Sequence, residues 1–222
     1  MEPLATTPGS QAWLAPPQAA GRFDPARQSP ADAARWPTLH APGRRREWAA
    51  SRALLAHLTD LGERHASLSH SQGWSAALLA PEGLRVGLDL EWLRPRDVLS
   101  LARHAYDPRE VEALEALPEP DRALHFHLLW TLKEACAKAL SLGLMTATRT
   151  CRFTESGGHW SGAIASDGNW AATVYAPRPG AVLAVLQVAP DAAPIPALSC
   201  HEWPEAIAAP WPLLAQISSV PR

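Results

Sequence analysis

The segment from Trp130 to Lys138 brings together side chains that could do chemistry: one carboxylate and two ammonium groups. Of the 20 basic residues, only Lys133 and Lys138 are lysines, and they lie within six positions of each other. Because arginine serves everywhere else, this pattern indicates positions that need a compact, flexible ammonium. On a helix, Glu134 and Lys138 would lie one turn apart, opposite an apolar stripe. They would form either an ordinary surface ion pair or a pair with a chemical role.

A second acidic motif lies between Leu84 and Glu91, where apolar residues alternate with others. In a strand, this alternation places Asp89 and Glu91 on one face, about 7 Å apart along the chain. Like charges at that separation repel unless solvent or a cation lies between them. The pattern therefore indicates either a half-exposed strand edge or a cation site.

A third, polar motif, Ser69-His70-Ser71, precedes these two. In this order the three blocks resemble the motif set of the 4′-phosphopantetheinyl transferases. They are more similar to the longer, Sfp-type members than to the short holo-acyl-carrier-protein synthases. The 44 positions from Asp89 to Lys133 fit the family's usual gap. The resemblance covers about residues 44–144.

The resemblance implies an enzyme that transfers the 4′-phosphopantetheine arm of coenzyme A to a serine of an apo acyl or peptidyl carrier protein, releasing 3′,5′-ADP. It implies Mg²⁺, with Mn²⁺ as a possible substitute, held by Asp89, Glu91 and Glu134. Asp89, Glu134 and Lys138 would be the catalytic residues. Glu134, or a water on the metal, would be the base, and Lys138 would stabilise the pyrophosphate. Lys133 would orient the leaving side of coenzyme A.

The resemblance also implies contacts to the nucleotide end of coenzyme A. Ser69 and His70 would hold the 3′-phosphate, to which a hydroxyl and a ring N–H can donate. Arg46 and Arg52 would supply positive charge from a helix, where the family often places lysines in this half of the chain. Glu110 matches an acidic position of the family.

The order of local patterns predicts an α+β fold. A helix is predicted from Arg44, followed by a hairpin whose strands span 75–79 and 84–91, with a turn over 80–83. Helices are predicted over 98–105, from Pro108, and in a segment ending near Gly143. Further strands are predicted over 150–154, 160–165, 169–175, 181–188 and 198–203.

The same patterns divide the chain into four segments. Residues 1–43 form a Pro/Ala-rich segment with a short strand over 12–15, and residues 44–95 complete an N-terminal half. Residues 96–190 form a C-terminal half, and residues 191–222 are a Pro/Ala-rich tail. The resemblance implies two similar α/β halves related by a pseudo-twofold, with the active site in the cleft between them.

Composition limits the possible partners. At 222 residues and a net charge of −2, the chain has no global basic field for nucleic acid or anionic membranes. It has no membrane-spanning run and no signal peptide, and its three cysteines lack a zinc or disulfide pattern. We therefore expect a cytoplasmic protein that binds neither nucleic acid nor membranes, and the resemblance implies a monomer with coenzyme A and a carrier protein as partners. The spacing of His125 and His127 predicts structural roles for both.

Two other functions stay open at this level. One is a different Mg²⁺-dependent phosphoryl-chemistry enzyme, such as a nuclease or phosphodiesterase, against which the near-neutral charge counts. The other is a non-catalytic module that binds carrier proteins. The presence of Asp89, Glu91, Glu134 and Lys138 counts against such a module, because an inactive copy would be free to lose them. Whether a fatty-acid, polyketide or peptide-synthetase carrier is modified cannot be read from these motifs.

Overall fold

A computed structural model describes residues 9–60, 65–191, 193–204, 207–208 and 210–219. The fold is mixed α+β, as predicted. The helices are α1 (Pro30–Arg35), α2 (Pro42–Asp60), α3 (Val98–Ala105), α4 (Pro108–Ala116), α5 (Glu119–Ala139) and α6 (Leu144–Thr150). The strands are β1 (Ser10–Ala15), β2 (His65–Ser71), β3 (Trp74–Leu79), β4 (Arg85–Trp92), β5 (Arg152–Ser156), β6 (His159–Ala163), β7 (Trp170–Tyr175), β8 (Ala181–Val188), β9 (Leu198–Glu202), β10 (Ile207–Ala208) and β11 (Leu213–Ser218).

The first sheet has the strand order β10-β9-β1-β3-β2 and is covered by α2. Strand β1 runs antiparallel to β3 and parallel to β9. Apolar residues of α2, among them Leu54 and Leu58, pack with Trp13 and Leu79 of the sheet. The sheet therefore forms one core of its own, closed by a helix whose apolar residues recur at helical spacing.

The second sheet has the order β11-β7-β8-β4 and is antiparallel throughout. Helix α5 lies on β4 and β8 and buries the predicted apolar stripe, which includes Leu129, Leu132 and Cys136. The contact is close at Gly87, where an added Cβ would lie 1.9 Å from the carbonyl oxygen of Ala135. Glycine is required there because the backbone of β4 meets the backbone of α5 directly.

The predicted hairpin over 75–79 and 84–91 is wrong. Strand β3 pairs with β2 and β1, whereas β4 pairs with β8 in the other sheet. The true hairpin joins β2 to β3 through Gln72 and Gly73, both with positive φ, as tight hairpin turns require. Strand β4 crosses over because both of its faces are buried, one on α5 and the other against β1 and β3.

The strands of each sheet come from more than one of the predicted segments. Strand β4, assigned to the N-terminal half, belongs to the second sheet, and the tail contributes β9 to the first sheet and β11 to the second.

The segment before α2 is largely short helical turns packed on α2, with Phe23 and Trp36 against Trp48. Helices α3, α4 and α5 and strands β7, β8 and β9 occur close to where they were predicted. Helix α6 was not predicted. Among the described residues no helix is long and apolar enough to cross a bilayer.

Candidate active site

The edge strands β2 and β4 of the two sheets lie side by side. Each is the edge strand of its own sheet, so its outward N–H and C=O groups have no neighbouring strand to pair with. Serine side chains of β2 take the place of that strand. The Ser67 hydroxyl oxygen accepts the Leu88 N–H at 3.0 Å, and the Ser69 oxygen accepts the Leu90 N–H at 3.2 Å. We call this contact between β2 and β4 the seam.

Lys138 reaches from α5 into the seam. Its Nζ donates to the carbonyl oxygens of Leu68 at 3.3 Å and Leu88 at 2.7 Å, and to Oδ1 of Asp89 at 3.0 Å. These three contacts use all three donors of an ammonium. The ion pair is with Asp89 and not with Glu134, so the interpretation as an ordinary surface pair along the helix is wrong.

Asp89 is the most enclosed of the three proposed metal ligands. It is 6% exposed, and its Oδ1 accepts from the Ser69 hydroxyl at 2.8 Å as well as from Lys138. Its Oδ2 is buried and accepts no hydrogen bond from any described residue. A buried carboxylate oxygen without a partner is costly, and a bound ion is one of the standard reasons for finding one.

Glu91 lies two residues along the same strand face. Its Oε2 accepts from the Ser71 hydroxyl at 3.1 Å and from Nη2 of Arg94 at 3.3 Å. Neither Ser71 nor Arg94 was among the predicted site residues. The available signals were the alternation of Ser67, Ser69 and Ser71 and the position of Arg94 three residues after Glu91.

Glu134 completes the acidic group from α5. Burial raises the pKa of its carboxyl above the ordinary value, and the charges of Asp89 and Glu91 raise it further while Lys138 opposes them. Asp89, Glu91 and Lys138 all interact with Glu134, and Lys138 pairs with Asp89, so these four side chains, which the family resemblance grouped, lie near one another.

Within the described ranges, no three His, Cys, Asp or Glu side chains are placed so that they would hold a metal ion. One observation nevertheless fits a divalent cation at the seam: the Oδ2 of Asp89 is buried and has no partner among the described residues. Mg²⁺ commonly uses one or two carboxylates and keeps several waters. The donor set fits such an ion.

His70 lies apart from the carboxylates. It alternates with Ser69 and Ser71 along β2, so its ring is directed toward α2, where Nδ1 lies 3.7 Å from Oε2 of Glu47. Glu47 also accepts the Gly73 N–H at 3.0 Å. His70 is exposed and can contact a ligand, whereas Ser69 is buried and hydrogen-bonded to Asp89.

The two predicted arginines differ in availability. Arg52 contacts Oδ1 of Asp32 at 2.9 Å, in an ion pair whose angle is not that of a hydrogen bond, and its guanidinium lies over the Trp48 ring. Arg46 is exposed and forms no ion pair with a described residue. The structure thus holds Arg52 in internal contacts and leaves Arg46 open to solvent.

Lys133 is not at the site, which corrects the prediction that it orients coenzyme A. It is 0% exposed, and its Nζ contacts Oε2 of Glu110 at 2.8 Å and the carbonyl oxygens of Thr148 at 2.8 Å and Cys151 at 2.6 Å. Glu110 in turn accepts the Phe153 N–H at 2.9 Å. The pair therefore ties α5 to α4, α6 and β5 inside the second core.

The two histidines of α5 form internal contacts, in agreement with the sequence. The Nδ1 of His127 lies 2.6 Å from the carbonyl oxygen of Ala123, and the ring of His125 stacks on Trp160. Burial lowers the pKa of both imidazoles.

Comparison with known proteins agrees with the motif-based resemblance. Residues 85–175 match the model of the 4′-phosphopantetheinyl transferase superfamily. The 4′-phosphopantetheinyl transferase HetI of Nostoc sp. is 44% identical over 92 residues, 38% of each chain. The 4′-phosphopantetheinyl transferase psf-1 of Bacillus pumilus is 33% identical over 97 residues, 42% of this chain and 40% of that protein. A putative 4′-phosphopantetheinyl transferase of Synechocystis sp. is 37% identical over 79 residues, 35% of this chain and 32% of that protein.

The chain thus spans about two fifths or less of the length of these curated relatives. The segment that matches the superfamily contains β4, with Asp89 and Glu91, and α5, with Glu134 and Lys138. It begins at Arg85, so β2 and α2 lie outside it. The resemblance to the superfamily is confirmed over residues 85–175.

Proposed function

We propose that this protein is an Sfp-type 4′-phosphopantetheinyl transferase, which moves the 4′-phosphopantetheine arm of coenzyme A to a serine of an apo acyl or peptidyl carrier protein and releases 3′,5′-ADP. One observation carries the proposal. Asp89, Glu91, Glu134 and Lys138 meet at the seam, and all four lie in the segment that matches the superfamily. Three carboxylates beside one ammonium suit a site that must bind a diphosphate and accept a proton.

Asp89, Glu91 and Glu134 would hold the divalent cation, Mg²⁺ or Mn²⁺ in its place. When bound, the ion would neutralise the diphosphate of coenzyme A and the charge that develops as its bridging bond breaks. Binding of the ion would give the unpartnered Oδ2 of Asp89 a partner.

Binding of the nucleotide end would fall to residues near α2. The exposed His70 ring and the exposed Arg46 guanidinium of α2 would donate to the 3′-phosphate of coenzyme A.

The transfer step follows from the positions of Glu134 and Lys138. The serine oxygen of the carrier attacks the phosphorus that bears the pantetheine arm, and the bond from this phosphorus to the bridging oxygen breaks. The serine proton passes to the Glu134 carboxylate, which acts as the general base. The electron pair leaves with 3′,5′-ADP, whose new negative charge Lys138 would stabilise.

We further propose two α/β halves related by a pseudo-twofold, with the active site in the cleft between them. The support is that each main sheet has its own long helix, α2 or α5, and that the site lies where the sheets meet. The near-neutral net charge of −2 supports a protein that acts on neither nucleic acid nor membranes. A cytoplasmic monomer is the state that we propose.

The test is to incubate the protein with coenzyme A, Mg²⁺ and a panel of apo carrier proteins, and then to weigh the carriers. We expect one class of carrier to gain a single phosphopantetheine arm, and we expect chelation to abolish the gain and Mg²⁺ or Mn²⁺ to restore it. Asp89→Ala is the control and should cut the rate by about 10²–10³. Binding of carriers without any mass gain would favour the non-catalytic module, and metal-dependent cleavage of nucleic acid or phosphodiesters would favour the other enzyme class.

A further inference from the structure

The seam contains a ladder of three serines whose role differs from the one implied by the family resemblance. Ser67, Ser69 and Ser71 alternate along β2, are all buried, and all face β4. Their hydroxyl groups contact β4 at successive positions. We propose that Ser69 is a positioning residue for Asp89, with Ser71 playing the same part for Glu91, an inference that rests on the proposed cation-dependent function.

The hydrogen bonds of Ser69 fix its hydroxyl in one orientation. Its oxygen accepts the Leu90 N–H at 3.2 Å, and its proton is donated to Oδ1 of Asp89 at 2.8 Å. The backbone N–H can only donate and the carboxylate oxygen can only accept, so the direction of both bonds is determined. The hydroxyl therefore links the backbone of β4 to the side chain of the adjacent residue on that strand.

This link determines which oxygen of Asp89 is available. Ser69 and Lys138 both donate to Oδ1, and Oδ2 is left buried without a partner among the described residues. A carboxylate held by one oxygen presents the other in a defined direction, and partners of this kind orient metal ligands in proteins. Ser69 thereby directs Oδ2 toward the position of the cation.

Ser71 and Ser67 differ in whether they contact a carboxylate of β4. The Ser71 hydroxyl donates to Oε2 of Glu91 at 3.1 Å, so it also contacts a carboxylate. The Ser67 hydroxyl accepts the Leu88 N–H at 3.0 Å and has no described carboxylate partner. The chain thus contains a matched control, a serine in the same seam that holds β4 but no ligand.

The family resemblance places Ser69 on the 3′-phosphate of coenzyme A, but the contacts of Ser69 favour a role at Asp89 instead. Ser69 is 7% exposed, and its one proton is committed to Asp89. Donation to a phosphate would break that bond. His70 is exposed and directed to the other side of β2, so it remains the candidate for the phosphate.

The experiment measures Mn²⁺ binding to the purified full chain by electron paramagnetic resonance, without coenzyme A or a carrier. We expect Ser69→Ala to raise the Kd for Mn²⁺ about 10–100-fold, the usual effect of losing a partner that orients a metal ligand. Ser67→Ala should change the Kd by less than about twofold, although it loses an equivalent hydrogen bond to β4. If Ser69→Ala does not fold, Ser71→Ala tests the same ladder at Glu91, with an expected increase in the Kd of about tenfold.

Three results would overturn the inference. Tight Mn²⁺ binding by the wild type with equal Kd values for Ser69→Ala and Ser67→Ala would make the ladder a purely structural joint, while leaving the proposed function intact. No Mn²⁺ binding by the wild type would remove the cation and would count against the proposed function as well.

A second measurement separates the two roles of Ser69. The Ser69→Ala variant should keep the wild-type preference for coenzyme A over 3′-dephospho-coenzyme A, and loss of that preference would return Ser69 to the phosphate.

Discussion

The two lysines of α5 give a sharp test, because they share a residue type, a helix and a set of three contacts but differ in burial. Lys133 is fully buried against Glu110, which is 1% exposed. Lys133→Met leaves that carboxylate buried without its partner, and breaking such a pair costs about 3–5 kcal/mol. The side chain of Lys138 is 31% exposed, so water can replace part of its contacts. Lys138→Met should therefore cost less, about 1–3 kcal/mol of unfolding free energy, because the buried Asp89 loses one of its two donors.

Chemical denaturation measures these costs, and calorimetry and carrier transfer measure function under conditions where each variant is folded. We expect Lys133→Met to be destabilised by about 3–5 kcal/mol but to bind coenzyme A normally. We expect Lys138→Met to lose less stability than Lys133→Met but to transfer about 10²-fold more slowly, because it lacks a positive charge beside the developing negative charge. The double variant Lys133→Met/Glu110→Gln should recover much of the lost stability, since replacing both members of a buried pair is often close to neutral.

The opposite pattern would refute this reasoning. A Lys133→Met protein with wild-type stability and lost coenzyme A binding would place Lys133 at the cofactor, as the family resemblance implied. Unchanged transfer by Lys138→Met would reduce Lys138 to a structural link between β2 and β4. The comparison is internal, because each variant controls for the effect of removing a lysine from α5.

Three further predictions follow from single contacts. His70→Ala should weaken binding of coenzyme A by about 1.5–3 kcal/mol but barely affect 3′-dephospho-coenzyme A, and equal losses in calorimetry would mean that the ring does not contact the 3′-phosphate. Gly87→Ala should lower the free energy of unfolding by about 1–3 kcal/mol or more, because the new Cβ meets the α5 backbone, whereas Gly143→Ala, with open space around its Cβ, should not. Burial lowers the pKa of His127 in the folded state, so the unfolded state binds more protons below pH 6.5 and stability should fall as the pH drops through that value. His127→Gln should make this dependence shallower in denaturation measured between neutral and acidic pH, and an unchanged slope would contradict the role of His127.

Much of the acidic site could be predicted because its signals are local. Asp89 and Glu91 share a strand face through a period of two, and Glu134 and Lys138 share the less buried side of α5 through a helical period. Both elements occur where those periods indicated them. Residues that lie on one element at the correct spacing need no tertiary information to be grouped.

The arrangement of the strands could not be predicted in the same way. A short turn after β3 is equally compatible with a hairpin and with a crossing to another sheet, since hydrogen-bond partners of strands are set by distant residues. Gly87 was the available sign that β4 packs on a helix, because glycine inside a strand often marks a close backbone approach. The seam could not be predicted for a related reason. Backbone N–H groups of β4 donate to serine hydroxyls of β2, and a hydrophobic pattern does not show which strand a serine will contact.

The two lysines of this arginine-rich chain are both needed as ammonium groups, but for different reasons. Each ammonium in α5 contacts three oxygens, and in both sets two of the three are backbone carbonyls. A compact cation with three rotatable donors can converge on such a set, whereas the planar fork of an arginine cannot. The composition therefore identified both positions that need an ammonium. Burial distinguishes them: Lys133 is enclosed with Glu110 in the core, whereas Lys138 is partly exposed beside Asp89 and is the lysine that we propose contacts the diphosphate.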